Sequence, residues 1–223
     1  MIYILHIDTS GDKAVVALSC NGNLLGSKTN VDTRNHAASL NLLIDDLLTD
    51  AGISLQDLYA FAVMGGPGSY TGLRIGLSTA KGYCYALDKP LILTGKLELL
   101  TLQQIEKDEP RSDFYITILP ARQQEYFCTV YNNEKNQVLA PSHKHEAEMT
   151  DIFQQFNGRI CISGLLSKSI EELMYKLNVK ISDIQTVDLH FWCQHSFNSY
   201  NSNDFVILAT AEPFYLKQVY THN

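Results

Sequence analysis

The stretch Gly65-Gly66-Pro67-Gly68-Ser69-Tyr70-Thr71-Gly72-Leu73-Arg74-Ile75-Gly76 has the strongest chemical character in this sequence. Glycines and a proline ahead of a helical pattern force a tight turn, and bare backbone N–H groups at a helix start can bind an anion. Known phosphate loops fit poorly. A P-loop ends in Gly-Lys-Ser/Thr, whereas Gly72 is followed by Leu73. The dinucleotide fingerprint is Gly-x-Gly-x-x-Gly, and Gly66, Gly68 and Gly72 are one residue too long for it. A strand–turn–helix corner is the plainer reading. Two histidines at i and i+4 could hold a metal from one helical face. His190 and His195 are five apart, and His143 and His145 stand two apart in a polar stretch. Each of these suits a surface or capping role better than a ligand role. Ser69 and Ser163-Gly164 lack the Gly-x-Ser-x-Gly elbow of a nucleophilic serine, and among the cysteines only Cys193 has histidines close in sequence. The sequence therefore offers no catalytic residue, no metal site and no resident cofactor.

The elements around the turn follow from periodicity. An apolar run at 58–64 reads as a buried strand, and a helix runs from the turn to about Leu87. At about 100° per residue, Leu73, Leu77, Ala80, Cys84 and Leu87 form its core stripe. Arg74, Ser78, Lys81 and Tyr85 fall opposite. A third stripe, Gly72, Gly76, Thr79 and Tyr83, is flanked by Ile75 and Ala86. Each helical glycine costs about 1 kcal/mol against alanine, so close approach of another helix to this stripe is expected. Ahead of the turn lie strands at 2–8, 14–20 and 24–31, with Asn21-Gly22-Asn23 as a hairpin turn. A helix starting near Asn35 or His36 places Leu40, Leu43, Ile44, Leu47, Leu48 and Ala51 on one face, leaves Leu42 and Ala38 outside it, and stops at Gly52. A strand at 90–93 completes a β-β-β-α-β-α-β order. After the polar segment Glu106–Asp113 the pattern predicts strands at 114–119, 125–131 and 138–140, a helix at 148–156, a strand at 159–163 and a helix at 168–176. A helix at 189–201 and a last strand at 205–210 end the series.

At 223 residues the chain suits one large or two small domains. Its 24 acidic and 17 basic residues give a formal charge of −7, which opposes a self-sufficient grip on nucleic acid. Five scattered cysteines, Cys20, Cys84, Cys128, Cys161 and Cys193, form no Cys-x-x-Cys pair and read as small core residues of a reducing cytoplasm. No basic leader followed by a long apolar run is visible at the start, and no run is long enough to span a bilayer. Cytoplasmic location without membrane contact is the expectation.

Residues 65–76 resemble the signature of the TsaB (YeaZ) family of tRNA threonylcarbamoyladenosine biosynthesis. The resemblance extends to the opening Ile2–Ser10, to the helix opened by His36 and ending Leu47–Ile53, and to Pro213-Phe214-Tyr215-Leu216-Lys217, and is strongest over about the first hundred residues. It implies the actin-like ATPase (ASKHA) superfamily fold: two β-β-β-α-β-α-type α/β domains, at 1–107 and 108–223, the second reduced. It also implies a non-catalytic subunit that pairs with the transferase TsaD, supports the ATPase TsaE and meets tRNA only through that complex; without the partner, the same surface is expected to self-associate as an isologous homodimer. The modified base is the adenosine at tRNA position 37. The partner interface would comprise His36, Leu42, Gly72, Ile75, Gly76, Thr79 and Tyr83, beside the signature turn Gly65, Gly66, Pro67, Gly68, Ser69, Tyr70 and Thr71.

In this fold Asp8, Thr9, Ser10 and Gly11 occupy the first phosphate hairpin, so a nucleotide-binding kinase or ATPase is the main alternative. Nucleotide binding in the fold needs a second hairpin. Its place is Leu119-Pro120-Ala121-Arg122-Gln123-Gln124-Glu125, which has no Asp-Gly hairpin and carries Pro120 where an Asp is expected, so the Asp8 hairpin reads as vestigial. A glycoprotease-like metallopeptidase would need a His-x-x-x-His pair, but Leu40 stands four residues after His36.

Overall fold

The computed structural model describes residues 1–30 and 36–216, with side chains of His36, Ala37 and Ala38 outside the description. The chain divides into two compact units. The first is Met1–Gly95 with Asp188–Phe214; the second is Lys96–Val187 with the last described residues from Tyr215.

In the first unit, β1 (Tyr3–Asp8), β2 (Ala14–Cys20) and β3 (Asn23–Asn30) form an antiparallel run, and β4 (Leu58–Gly66) and β5 (Leu91–Gly95) extend it in parallel. The sheet order is β3-β2-β1-β4-β5. Asn21 and Gly22 both take positive φ (48° and 82°), the geometry a two-residue hairpin requires where strands twist to the right. Two helices, α1 (His36–Ala51) and α2 (Tyr70–Leu87), pack their apolar stripes on Leu5, Ile7, Val16, Leu18, Phe61 and Val63. Leu40, Ile44, Leu47 and Leu48 of α1 are buried as their spacing predicts, while Ala51 is exposed. The opposite sheet face is covered by α6 (Leu189–Asn201), whose Trp192 meets His6 edge-on with ring centroids 5.0 Å apart.

The second unit repeats this plan. A helix, α3 (Lys96–Lys107), precedes β6 (Phe114–Arg122), β7 (Glu125–Asn132) and β8 (Gln137–His145), and then α4 (Met149–Gln154), β9 (Ile160–Gly164), α5 (Lys168–Lys176) and β10 (Lys180–Ile181) follow. The order β8-β7-β6-β9-β10 matches the first sheet strand for strand, with antiparallel and parallel pairs in the same places. Reduction is one of length: β10 has 2 residues and α4 has 6. Both units carry the β-β-β-α-β-α order of the actin-like ATPase fold that the resemblance implies.

Three expectations change. The boundary expected at 107/108 moves, because α3 packs on the second sheet and belongs to the second unit. Likewise, α6 belongs to the first unit, so neither unit is a single continuous segment. The segment at 205–210 is not a strand. Only Val206 bridges to Leu91, and the chain then turns through Ile207–Thr210.

Candidate functional site

Two features that the sequence singles out, the first hairpin and the glycine corner, lie against one another. At the end of β1 the Ser10 backbone N–H and hydroxyl both donate to Asp8 Oδ1, at 2.8 and 2.6 Å. This closes an Asx turn, the local structure a strand-end Asp followed by Thr-Ser-Gly favours. The turn is fastened to the corner by Ser69 N–H on the Ser10 carbonyl (2.7 Å) and by the Thr9 hydroxyl on the Gly72 carbonyl (2.7 Å). At the start of α2, Ser69 Oγ accepts from Gly72 N–H and the Ser69 carbonyl from Leu73 N–H. Those N–H groups are therefore spent on an N-cap. The corner reads as a joint.

The glycines fit the joint. A Cβ on Gly68 would run into the Ser10 carbonyl, and one on Gly72 into the Thr9 carbonyl; one on Gly76 would meet the Thr9 hydroxyl. All three approaches are closer than 3.0 Å, which real Cβ atoms do not show. At the far side, Phe214 N–H donates to the Gly65 carbonyl at 2.8 Å, and a Cβ on Gly65 would come within 2.6 Å of the Phe214 ring. The expectation that Gly72 and Gly76 present a bare stripe to a second helix is corrected. Both are buried, and what approaches them is the end of β1 from the same chain.

What α1 and α2 leave outward is narrower than expected. Leu42 is 67% exposed and lies off the core face, as its spacing predicts. Ile75, Thr79 and Tyr83 are half-buried. Tyr83 stacks on Phe61 (centroids 5.5 Å apart, rings within 2° of parallel) and donates to Asn41 Oδ1 at 3.1 Å, which fastens α2 to α1 beside Leu42. Burial and the nearby Asp45 carboxylate push its hydroxyl pKa up. Tyr70 carries Arg74 over its ring at 4.1 Å, on the exposed start of α2 with Thr71. Lys81, expected on the solvated face, instead donates to the carbonyls of Ala209 and Ala211. The backbone of His36 opens α1; its side chain lies outside the described residues.

In the second unit β6 and β7 join through Gln123-Gln124, with Gln124 at φ 56°, and Pro120 pairs with Tyr126 inside the ladder. The turn carries no carboxylate comparable to Asp8. Of the histidines weighed for a metal, His143 Nε2 stands 3.2 Å from Glu125, and His145 Nδ1 accepts from Ala147 N–H. Among the described residues no three His, Cys, Asp or Glu side chains come together as metal ligands. Burial pushes the Cys84 and Cys193 thiols up to about 12, far from a nucleophilic thiolate at neutral pH.

Sequence reasoning missed His6. It is fully buried in β1, and desolvation lowers its pKa from 6.5 to about 4, with the backbone of Ala17 and Ile4 pulling the other way. The Trp192 indole N–H and the Ser196 hydroxyl are also buried, without a hydrogen-bond partner among the described residues. Only the fact that His6 alternates with Leu5 and Ile7 in an apolar strand hinted at this.

Residues 23–158, more than half the chain, match the family model described as TsaD, tRNA N6-adenosine threonylcarbamoyltransferase. The tRNA threonylcarbamoyladenosine biosynthesis protein TsaB of Escherichia coli K12 is 31% identical over 145 residues, 65% of this chain and 60% of that protein. The chain thus matches about three fifths of the length of that relative. Among solved structures, YeaZ from Pseudomonas aeruginosa superposes with a TM-score of 0.71 at 24% identity, covering 97% of this chain and all of that one. The polyphosphate/ATP-glucomannokinase of Arthrobacter sp. strain KM shares the fold, with a TM-score of 0.56 at 11% identity over 90% of this chain.

Proposed function

The chain belongs to the TsaB (YeaZ) family, and from that premise we propose that it serves tRNA threonylcarbamoyladenosine formation as a non-catalytic subunit. Its partner would be a transferase of the TsaD family, with TsaE as a further component and tRNA engaged only through the assembly. Free of that partner, the same face would pair with a second copy. The observation that carries this reading is the outward face of α1 and α2. Leu42 stands 67% exposed next to the Tyr83–Asn41 contact, with Ile75 and Thr79 alongside. A large aliphatic side chain held in the open by a well-packed helix pair suits a helix-on-helix interface. The non-catalytic part of the reading is supported by the joint at Asp8–Ser10, which is filled by the protein's own hydrogen bonds, and by the Gln123-Gln124 turn where a second phosphate hairpin would be needed. Leu42→Glu tests the docking face. A charge placed on a desolvated contact should weaken binding to the TsaD-family partner by at least tenfold, about 1.4 kcal/mol. Unchanged binding by titration calorimetry, with the variant folded, would contradict the assignment of this face.

A further inference from the structure

The chain after α6 crosses the first unit and touches α2 or its entry corner twice. Val206 N–H donates to the Leu91 carbonyl at 3.0 Å, and Ala211 is buried in the first core cluster. Between them the carbonyls of Ala209 and Ala211 accept from Lys81 Nζ at 3.4 and 3.2 Å. Further on, Phe214 lies on the glycine corner, its N–H on the Gly65 carbonyl at 2.8 Å, its ring over the face that Gly65 leaves bare and its carbonyl beside Gly66.

We propose that residues 205–214 form a positioning strap for α2, with Lys81 and Phe214 as its two fastenings; the inference rests on α2 being part of the docking face. Ile75 and Thr79 stand between the fastenings, one at the entry corner and one at the start of the fourth turn of the helix. Tyr83 ties the opposite flank of α2 to α1. The helix is thus held from both sides. An ammonium group on two carbonyls is directional, and an aromatic ring on a bare glycine leaves the corner little room to shift. Loss of either fastening frees the entry of α2 to move by fractions of an ångström. An interface that depends on shape complementarity loses affinity when one of its helices is no longer pre-set.

The experiment compares wild type with Lys81→Met, Lys81→Arg and Phe214→Ala. Met keeps the aliphatic stem and removes the donors, and Arg restores donors to the same carbonyls. Hydrogen exchange of residues 70–83 in the free protein, and affinity for the TsaD-family transferase of the same organism, are measured on each. Lys81→Met and Phe214→Ala are expected to speed exchange in α2 while β1 and β4 stay protected, and to weaken binding at least tenfold, with Lys81→Arg close to wild type. Unchanged exchange in α2, or equal affinity of Lys81→Met and wild type, overturns the proposal. So does loss of protection throughout the unit in both Lys81→Met and Phe214→Ala, which would make the segment ordinary core. Failure of wild type to bind the transferase would instead refute the docking reading, and the exchange data would still decide the strap.

Discussion

Alanine in place of three glycines of α2 should change stability in opposite directions within one helix. Gly82 is exposed, and a Cβ there meets nothing within 4 Å. Gly82→Ala should gain the helix-propensity difference, about 1 kcal/mol. Gly72→Ala gains the same term but sets a Cβ into the Thr9 carbonyl, a backbone atom that cannot swing aside. Overpacking of this kind costs about 1–3 kcal/mol, and strain on the Thr9 hydroxyl bond to the Gly72 carbonyl adds about 1 more. A net loss of about 1–3 kcal/mol follows. Gly76→Ala meets the Thr9 hydroxyl instead, and that hydroxyl is held by the Gly72 carbonyl. Its cost should fall when Thr9 is also replaced by Ala, whereas the cost of Gly72→Ala should persist, since the carbonyl remains. Urea unfolding of the single variants and the two doubles gives both coupling energies. Gly72→Ala as stabilising as Gly82→Ala would refute the joint, and so would equal rescue of both positions by Thr9→Ala.

Three further outcomes follow. His6 titrates near 4 in the folded chain against 6.5 unfolded, because burial disfavours its cation. The unfolded chain therefore binds the extra proton first, and about 3 kcal/mol of stability should drain away as pH falls from 6.5 to 4, a slope His6→Leu should flatten in acid-titrated melts. Asp108 is buried, and burial works against its charge, yet Lys180, Ser112 and Tyr115 hold its carboxyl below the usual range. Its contribution is present above that range and lost as pH falls through the lowered value, so Asp108→Asn should destabilise at pH 7 and much less in strong acid; equal penalties at both would contradict this. Calorimetric titration of the isolated protein with ATP and Mg²⁺ should show no micromolar site, and such a site abolished by Asp8→Ala would reverse the reading of the first hairpin.

Much of the fold was legible because its elements are amphipathic. Leu40, Ile44, Leu47 and Leu48, or Leu73, Leu77, Ala80 and Cys84, mark their helices by spacing alone. The helix α3 was not, since Leu97, Leu99, Leu100, Thr101, Gln103, Gln104 and Ile105 are all buried and leave no polar stripe to contrast. Phe205-Val206-Ile207-Leu208 has the composition of a strand, but only Val206 pairs with a neighbouring strand; a run of apolar residues says nothing about whether an edge is free to receive it. The stripe Gly72–Gly76 shows the limit at the site. Helical geometry gives the direction each position faces, and that two glycines admit a close neighbour. It cannot tell a second helix from Thr9, more than sixty residues back in the chain. The exposure of Leu42 was legible because it needed only the angle.

The proposed role is to act through a surface on a transferase that does the chemistry. Reconstitution with the TsaD-family transferase, TsaE, threonylcarbamoyl-AMP and unmodified tRNA tests it most directly. Modified adenosine should form only when this chain is present, Leu42→Glu should abolish its formation, and Asp8→Ala should leave it intact. Full modification without this chain, or modification by this chain in the absence of the transferase, would contradict it.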